Sequence, residues 1–346
     1  MKLLLMKTTL LLTAILFLFN TAGKAQDIHF SQMFETPLLR NPALAGIFSG
    51  DLRVQSVYRS QYNAVANAYQ TTSANIEYKM PLGNGDDFIT LGTQVLYDRA
   101  GTVALTSTHV LPALNYHKSL SQDRNMYLSM GLMGGIVQRR VDRSKMTTNS
   151  QFNGNNYEQG LNNGERFDKN GYTYFDGTVG MSFNTELGDE PENNMYVGLA
   201  YHHFNKAKNI NFYTASQVEM TPKWVASAGV RMNTNDYNYV TFEADYTSQG
   251  AYTEMLGGFL YSMKLESPDE PRYIVHAGAY LRWNDAIIPV AKIEMRPLSI
   301  ALSYDVNVSK LSSASRGRGG FEVSLAWQKF LDRENSAKNA VRCPKF

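Results

Sequence analysis

The sequence is poor in the features that usually hold an exported protein together. Its 346 residues include one cysteine, Cys343, so no disulfide can form within the chain. Beyond the N-terminus it also lacks any apolar run of about 20 residues, the length that a membrane-spanning helix needs. The chain therefore argues against a helical membrane protein, although 43% of its residues are hydrophobic.

Motifs of known catalytic and metal sites are missing as well. The sequence contains no Gly-x-Ser-x-Gly, no His-Glu-x-x-His, no phosphate-binding loop and no pair of cysteines. His202 and His203 form the one local histidine cluster, but adjacent residues of a strand point to opposite faces. We therefore expect no metal, no cofactor and no enzymatic activity.

Charge gives no sign of a nucleic-acid partner. The formal net charge is +2, and no basic stripe runs along the chain. Residues 316–320 read Arg-Gly-Arg-Gly-Gly, similar to RNA-binding arginine–glycine repeats. One short copy in a loop predicts a flexible turn instead, so no nucleic acid is expected.

The N-terminus has the order of a secretory signal. Lys2 and Lys7 precede an almost wholly apolar run over 8–19, and small residues at Gly23 and Ala25 come before Gln26. We predict cleavage between Ala25 and Gln26, which makes 1–25 a signal peptide. The alternative is a membrane anchor, but the run is short and no stop-transfer cluster follows. No cysteine follows the run either, which excludes a lipoprotein anchor.

What the sequence has in excess is aromatic residues and alternation. Its 21 Tyr and 17 Phe fit a membrane β-barrel with aromatic girdles. Apolar and polar residues alternate along many segments, as in 237–247, 298–308 and 319–331. Side chains of a strand point alternately to opposite faces, so each segment has one apolar and one polar face. These segments have the length of strands that cross a bilayer at a tilt.

The alternation predicts an all-β protein: a transmembrane outer-membrane β-barrel of about 14 antiparallel strands. Its strands are predicted at 51–61, 69–80, 87–98, 104–118, 125–141, 173–187, 194–204, 222–233, 237–247, 251–264, 271–284, 286–296, 298–308 and 319–331. The segment with Pro289 and the irregular 104–118 fit the pattern least well. The barrel accordingly occupies 51–331.

Loop lengths distinguish this barrel from its rival, a soluble sandwich, which would show similar alternation. If residue 51 begins on the periplasmic side, the two longest connections, 142–172 and 205–221, both face outside. Short turns such as 84–86 and 233–236 then face the periplasm, as in bacterial barrels. The signal, the strand length and this asymmetry together favour the membrane.

The polar faces predict a lumen with charges of both signs. Its predicted members are Arg53, Gln55, Arg59, Gln61, Glu243, Asp245, Lys292, Glu294 and Arg296. This mixture fits salt bridges across a plugged or narrow interior as well as it fits a charged pore, and it identifies no solute.

Several further segments resemble a known family. Gln26-Asp27-Ile28-His29-Phe30-Ser31-Gln32 and Asn41-Pro42-Ala43-Leu44-Ala45-Gly46 resemble the N-terminal signature of the PorP/SprF family. That family comprises outer-membrane proteins of the type IX secretion system and its gliding apparatus. Further similar positions are Tyr58, Arg59, Asp98, Gly101, Asp176, Gly180 and Gly198, and the ending Arg342-Cys343-Pro344-Lys345-Phe346 also resembles the family's.

The resemblance implies a place beside a periplasmic ring and an inner-membrane motor, with a peptidoglycan-binding linker as a further partner. It also implies a secreted, adhesin-like cargo. We expect 26–50 to be a periplasmic N-terminal segment and 332–346 a periplasmic tail. Their motif residues would then contact periplasmic partners: Phe30, Ser31, Gln32, Asn41, Pro42, Ala43, Gly46, Cys343, Pro344 and Phe346. The alternatives are a simple turn at Asn41-Pro42 and a disordered tail.

The leading functional hypothesis is a non-enzymatic component of type IX secretion and gliding that helps to export or anchor cargo at the cell surface. The runner-up is an outer-membrane channel or transporter for a small or hydrophobic solute. An outer-membrane hydrolase, with scattered Ser, Asp and His residues on the barrel rim, is the third.

Overall fold

The computed structural model describes most of the chain between residues 27 and 331. The described residues are 27–61, 69–83, 86–101, 103–146, 148–158, 160–161, 164, 168–188, 190, 192–208, 210–213, 218–309 and 312–331. The predicted signal peptide with its Ala25–Gln26 cleavage site, and the motif residues Cys343, Pro344 and Phe346, lie outside them.

Within these ranges, 14 antiparallel strands close into a barrel in which the last strand pairs with the first. The strands are β1 (Leu52–Gln61), β2 (Tyr69–Pro81), β3 (Phe88–Ala100), β4 (Leu105–Ser119), β5 (Met126–Arg140), β6 (Gly171–Glu186), β7 (Asn194–His202), β8 (Lys223–Asn233), β9 (Asn238–Gln249), β10 (Tyr252–Leu265), β11 (Tyr273–Arg282), β12 (Ala286–Met295), β13 (Leu298–Asn307) and β14 (Arg318–Lys329). The predicted fold class is confirmed, and the strand bounds agree to within two residues.

The alternation in the sequence becomes the two faces of the wall. Outward apolar side chains stay uncovered: Ile136 and Phe175 are each 58% exposed. An outward apolar surface on a closed barrel is the kind that lipid covers, because closure leaves no sheet edge unpaired. In the described part of the chain no helix is long and apolar enough to span a membrane.

The two strands that fitted the pattern least well each contain a proline. β4 pairs with β3 through Pro112, but its pairing with β5 is interrupted between Val110 and Ala113. β12 pairs with β11 through Pro289, but its pairing with β13 is interrupted between Ile287 and Val290. Proline has no N–H to donate, so each strand loses part of one ladder while it keeps the other.

The two ends of the barrel differ. One end, here called the loop end, carries the long connections between β5 and β6 and between β7 and β8. The other end, the turn end, carries short connections such as the one between β8 and β9. Both barrel termini, at Leu52 and Lys329, lie at the turn end because the strand number is even.

Residues 27–50, here called the plug, lie inside the barrel. The plug contains a short helix, α1 (Pro37–Arg40), and two 3₁₀ turns, Met33–Glu35 and Pro42–Leu44. Most of its residues from Phe30 onward are buried. The prediction that 26–50 forms a periplasmic segment is therefore wrong for the described residues. A chain rich in buried polar groups finds its hydrogen-bond partners on the polar inner wall.

Candidate functional site

The plug runs through the lumen from the loop end to the turn end. Asp27 accepts a hydrogen bond from Lys223 Nζ at 2.5 Å, where β8 begins at the loop end. At the other extreme, Asp51 N donates to Lys329 O at 3.0 Å at the turn end. The segment that precedes β1 therefore fills the lumen. Of the two alternatives for the mixed charges, a plugged interior and a charged pore, the structure shows the plugged interior.

Ser31 and Gln32 hold the plug to a group of buried charges, here called the charged anchor: Arg59, Arg282, Asp305 and Glu322. The backbone N–H groups of Ser31 and Gln32 donate to the two oxygens of Glu322 at 2.6 and 2.8 Å. Ser31 Oγ donates to Asp305 Oδ1 at 2.7 Å and accepts from both arginines. Each of the four anchor residues is at most 2% exposed.

The charged anchor lies at the seam where the barrel closes. Arg59 of β1 and Glu322 of β14 are opposite each other in the ladder, and their side chains form a short ion pair. Arg59 also contacts Asp305 of β13 at 3.0 Å. Phe30, one residue before this network, packs against Val57 and Leu96.

A second arginine fixes the middle of the plug. Arg40, at the end of α1, forms a bidentate pair with Asp245, with both N–O distances at 2.6 Å. It also donates to the hydroxyl of Tyr196 at 2.6 Å and lies 3.6 Å from Glu243. The bidentate pair fixes the plane of the guanidinium and compensates for the burial of its charge.

Asn41-Pro42-Ala43 occupies a hollow made by three inward glycines, here called the glycine socket: Gly131 of β5, Gly180 of β6 and Gly198 of β7. A Cβ on Gly131 would overlap the backbone of Pro42 and Ala43. A Cβ on Gly180 or Gly198 would overlap the side chain of Asn41. The plug backbone can approach the wall this closely only because no side chain stands between them.

Hydrogen bonds complete the socket. Asn41 Oδ1 accepts from Ala43 N at 2.8 Å, which caps the 3₁₀ turn, and Asn41 Nδ2 donates to Met181 O at 2.9 Å. Asn115 and Ser182 on the wall both donate to Ala43 O at 2.9 Å. The turn that was the alternative for Asn41-Pro42 is present, and it is hydrogen-bonded to β4 and β6.

Gly46 turns the chain towards the end of the plug. Its φ of +85° lies in the region that favours glycine, and a Cβ there would overlap the side chain of Thr90. Its N–H donates to Glu77 at 2.8 Å, and Glu77 is paired with Arg53 at 2.8 Å. The motif residue is thus required by both backbone geometry and space.

The first described residue of the plug is held by a cluster at the loop end. His203 Nε2 lies 3.3 Å from Asp27 Oδ2, and His203 Nδ1 lies 2.8 Å from Asp176 Oδ1. Burial alone would lower the pKa of His203, but hydrogen bonds to Asp176 and Asp27 raise it to about 9. Burial alone would raise the pKa of Asp27, but Lys223 and His203 hold it well below its usual range.

The expectation for His202 and His203 was wrong in its geometry. β7 ends at His202, and His203 has a φ of +57°, so the alternation of a strand no longer applies. Both rings lie inside the barrel, and His202 contacts Thr178 at 3.1 Å and Arg40 O at 3.1 Å. Among the described residues, no three His, Cys, Asp or Glu side chains are grouped as metal ligands.

The structure separates the motif residues into those that meet the plug and those that do not. Phe30, Ser31, Gln32, Asn41, Pro42, Ala43 and Gly46 are buried in the lumen and contact the wall, so they offer no outer surface to partners. Arg59 and Gly180 are wall residues that contact the plug, and Asp176 contacts His203 in the cluster at the loop end.

The remaining motif residues do not meet the plug. Tyr58 faces outward beside Phe321, at a ring distance of 5.9 Å, and Asp98 accepts a hydrogen bond from Thr71 at 2.7 Å. Gly101 lies in the turn after β3 with a φ of +66°.

The predicted lumenal charges are mostly inside. Arg53, Gln55, Arg59, Glu243 and Asp245 are buried, whereas Gln61, Lys292 and Glu294 are partly buried. Arg296 lies one residue beyond β12, which ends at Met295, and it is exposed at the turn-end mouth of the lumen.

A cavity of about 1210 Å³, here called the vestibule, remains on the turn side of the plug. Plug residues Phe34, Leu44 and Ile47 form part of its apolar floor. Its rim contains residues of the short turns, among them Glu192 and Asp269. The cavity thus opens towards the turn end, and the plug lies between it and the loop end.

Sequence reasoning missed the wall residues that receive the plug, including Gly131, Asn115, Asp305 and Glu322. One signal was present: inward positions of three neighbouring strands were occupied by glycine. Glycine in a strand marks the close approach of another backbone. The sequence did not show that a segment fills the lumen, so the backbone that approaches these glycines could not be identified.

Comparison with known proteins places the chain. A sequence profile described as "Type IX secretion system membrane protein PorP/SprF" matches residues 22–327. No curated protein matches the chain.

Solved structures share the barrel at low identity. The toluene transporter TbuX of Ralstonia pickettii is 9% identical, with a TM-score of 0.49, over 85% of this chain and 93% of that one. A FadL homologue of Pseudomonas aeruginosa is 11% identical, with a TM-score of 0.46, over 85% and 94%. The translocator domain of the autotransporter NalP from Neisseria meningitidis is 8% identical, with a TM-score of 0.42, over 81% and 88%. Likeness at this level carries no argument about function.

Proposed function

We propose a specific secretion role from one premise: this chain belongs to the PorP/SprF family of type IX secretion system membrane proteins. The family expected from its motifs is confirmed. The protein is a membrane component of the secretion machinery and an outer-membrane β-barrel of 14 strands. Our proposal concerns its task there: a non-enzymatic barrel that helps to export or anchor a secreted adhesin-like cargo at the cell surface.

The observation that carries the proposal is the plug. A barrel that served as a free passage would need an open lumen, whereas this lumen is occupied by 27–50. The plug is held by hydrogen bonds from Ser31 and Gln32 to Glu322, by the buried ion pair between Arg40 and Asp245, and by close backbone contact at Gly131. The filled barrel is suited to act as a rigid platform whose two ends present different surfaces.

The loop end is the proposed cargo surface. Described residues of the long connection between β5 and β6 include Phe152 and Tyr157, which pair at a ring distance of 5.2 Å and are 47% and 55% exposed. Exposed aromatic residues are common at the centres of protein interfaces.

Deletion of 145–170 tests this assignment. We expect the cargo to be lost from the cell surface while the barrel still shows its heat-dependent shift on a gel. Cargo that stays anchored in the deletion strain would contradict the assignment of this loop. The matched control replaces the short turn 234–236 with Gly-Ser residues, which leaves the loop end untouched.

The turn end is the proposed surface for the periplasmic ring and motor components and a peptidoglycan-binding linker. The vestibule opens among its short turns, and the tail 332–346 begins there, after β14. Pull-downs with Asp269→Lys, which reverses one charge of the rim, should lose these components while cargo binding persists. If the same amounts of these components are recovered with Asp269→Lys, the assignment of the turn end as their binding surface is contradicted.

The vestibule also favours a second candidate, an outer-membrane channel for a small or hydrophobic solute. Its volume and apolar floor could accommodate such a solute on the turn side of the plug. Conductance and solute uptake in planar bilayers separate the two functions. The platform predicts no conductance in the intact protein and conductance after deletion of 27–44, whereas solute passage by the intact protein favours the channel.

A further inference from the structure

Two exposed arginines, Arg99 of β3 and Arg140 of β5, lie on the outer face of the wall at its loop end. Both are opposite Thr106 of β4 in their ladders. Neighbouring strands are about 4.8 Å apart, so the two arginines, here called the arginine pair, are about 10 Å apart with Thr106 between them. Their long side chains can therefore converge on one group above that threonine.

The arginine pair lies just beyond the apolar outer surface. On β3 the outward side chains run from Val95 through Tyr97 to Arg99, and on β5 Ile136 precedes Arg140 by four residues on the same face. Four residues of a strand tilted by about 40° raise a side chain by about 10 Å. Tyrosine is enriched where a membrane meets water. The order apolar, aromatic, cationic therefore places the pair at the level of lipid headgroups.

The charges of the arginine pair are not neutralised by the protein. In the part of the chain that the structure describes, neither side chain forms an ion pair or a hydrogen bond. The next outward positions in the two ladders, Gln70 of β2 and Gly171 of β6, are uncharged. Asp142, two residues after Arg140, is paired with Lys145 at 3.2 Å. The pair therefore attracts an anion from outside the protein.

The other side of the barrel differs at the same height. Outward residues near the loop ends of β9, β10 and β11 are Tyr246, Met255 and Leu281, all exposed and uncharged. The apolar outer surface thus extends further towards the loop end on those strands. The cationic rim at β3–β5 is a local feature and not a general property of this barrel.

We propose that the arginine pair binds a phosphate of a glycolipid in the outer leaflet of the membrane. Long connections mark the extracellular end of bacterial barrels, and the outer leaflet there consists of phosphorylated glycolipid. A planar guanidinium matches a phosphate with two parallel hydrogen bonds. The acyl chains of the same lipid lie against Val95 and Ile136 below. The site goes beyond the secretion role and does not depend on it.

Lipid titration of the full-length folded barrel in detergent tests the site. The probes are diphosphorylated lipid A, the same lipid A without its phosphates, and phosphatidylglycerol, and native mass spectrometry measures each dissociation constant. We expect diphosphorylated lipid A to bind most tightly. The double variant Arg99→Gln, Arg140→Gln should weaken its binding roughly ten-fold or more, because hydrogen bonds between charged groups are lost. Binding of the phosphate-free form should stay unchanged.

The matched control is the double variant Arg296→Gln, Arg316→Gln, since it removes two other exposed arginines and the same total charge. It should leave the dissociation constant of lipid A unchanged. An equal loss in both double variants would mean attraction by net charge alone and would overturn the site. An unchanged constant without the arginine pair, or equal binding of lipid A with and without its phosphates, would overturn it as well.

A second variant keeps both arginines. Thr106→Glu places a carboxylate between them, so it should weaken the binding of lipid A by a similar factor, and it replaces the double variant if that variant gives no heat-shifting barrel. Unchanged binding in Thr106→Glu would contradict a phosphate held between the arginines. Phosphatidylglycerol that binds as tightly as lipid A would refute the assignment to a glycolipid.

Discussion

The charged anchor and the glycine socket hold the same plug by opposite means. At the charged anchor, Ser31 and Gln32 meet two arginine and two acidic side chains that are at most 2% exposed. At the socket, Asn41-Pro42-Ala43 fits a wall from which side chains are missing. The first contact depends on charge and is lost when a side chain is removed. The second depends on shape and is lost when a side chain is added.

Removal of Arg59 should give the largest effect. Arg59→Ala leaves Asp305 and Glu322 without one of their cations, and breaking a buried charged pair costs about 3–5 kcal/mol. We expect a large fall in the temperature at which the folded band converts to the unfolded band on a gel. Lys118→Ala, which breaks the exposed pair with Asp87, is the control and should leave that temperature unchanged. Equal midpoints for the two variants would contradict a structural role for the charged anchor.

Addition of one methyl group should break the socket with an intermediate effect. Gly131→Ala places a Cβ in the backbone of Pro42 and Ala43, and overpacking of this kind costs about 1–3 kcal/mol. The same gel midpoint measures it.

Gly92→Ala is the matched control for the socket. Gly92 is another inward strand glycine, but its added Cβ would meet Leu38 and Ala113 at ordinary distances of 3.5 and 3.6 Å. If both alanine variants unfold at the native temperature, the plug does not need the hollow.

Loss of His203 from the cluster at the loop end should change the unfolding midpoint least, and this change should depend on pH. The pKa of His203 is raised to about 9 in the folded protein, so its contribution to stability is complete below about pH 6.5 and disappears as pH rises through 9. The unfolding midpoint should therefore fall between pH 7 and pH 10 by more in the native protein than in His203→Gln. The difference is modest, because Lys223 remains beside Asp27. If the unfolding midpoints of the native protein and His203→Gln change with pH in parallel, His203 makes no pH-dependent contribution to stability.

The sequence predicted the wall well because one periodicity encodes it. Alternation at 298–308 or 237–247 reports two faces directly, and the fold follows from a repeated local pattern. Where this pattern ended, prediction failed: His203 leaves the strand geometry after β7.

The plug could not be predicted in the same way. Residues 27–50 have no period, because short turns and single contacts alternate along them. Their partners are far away in sequence, such as Glu322 for Ser31. The missing side chain at Gly131 can be explained only once Pro42 is known to pack against it. The motifs were recognisable by resemblance, but the assignment to a periplasmic surface assumed that segments outside the strands lie outside the barrel.

The position of the charged anchor at the closing seam ties the seating of the plug to the completion of the chain. Glu322 belongs to the last strand to be synthesised, and it receives the N–H groups of Ser31 and Gln32 near the other end of the sequence. A chain that lacks β14 therefore lacks Glu322 as the acceptor for the start of its own plug, while the glycine socket and Asp245 still hold the rest. Complete attachment of the plug thus requires the same strand that closes the ring.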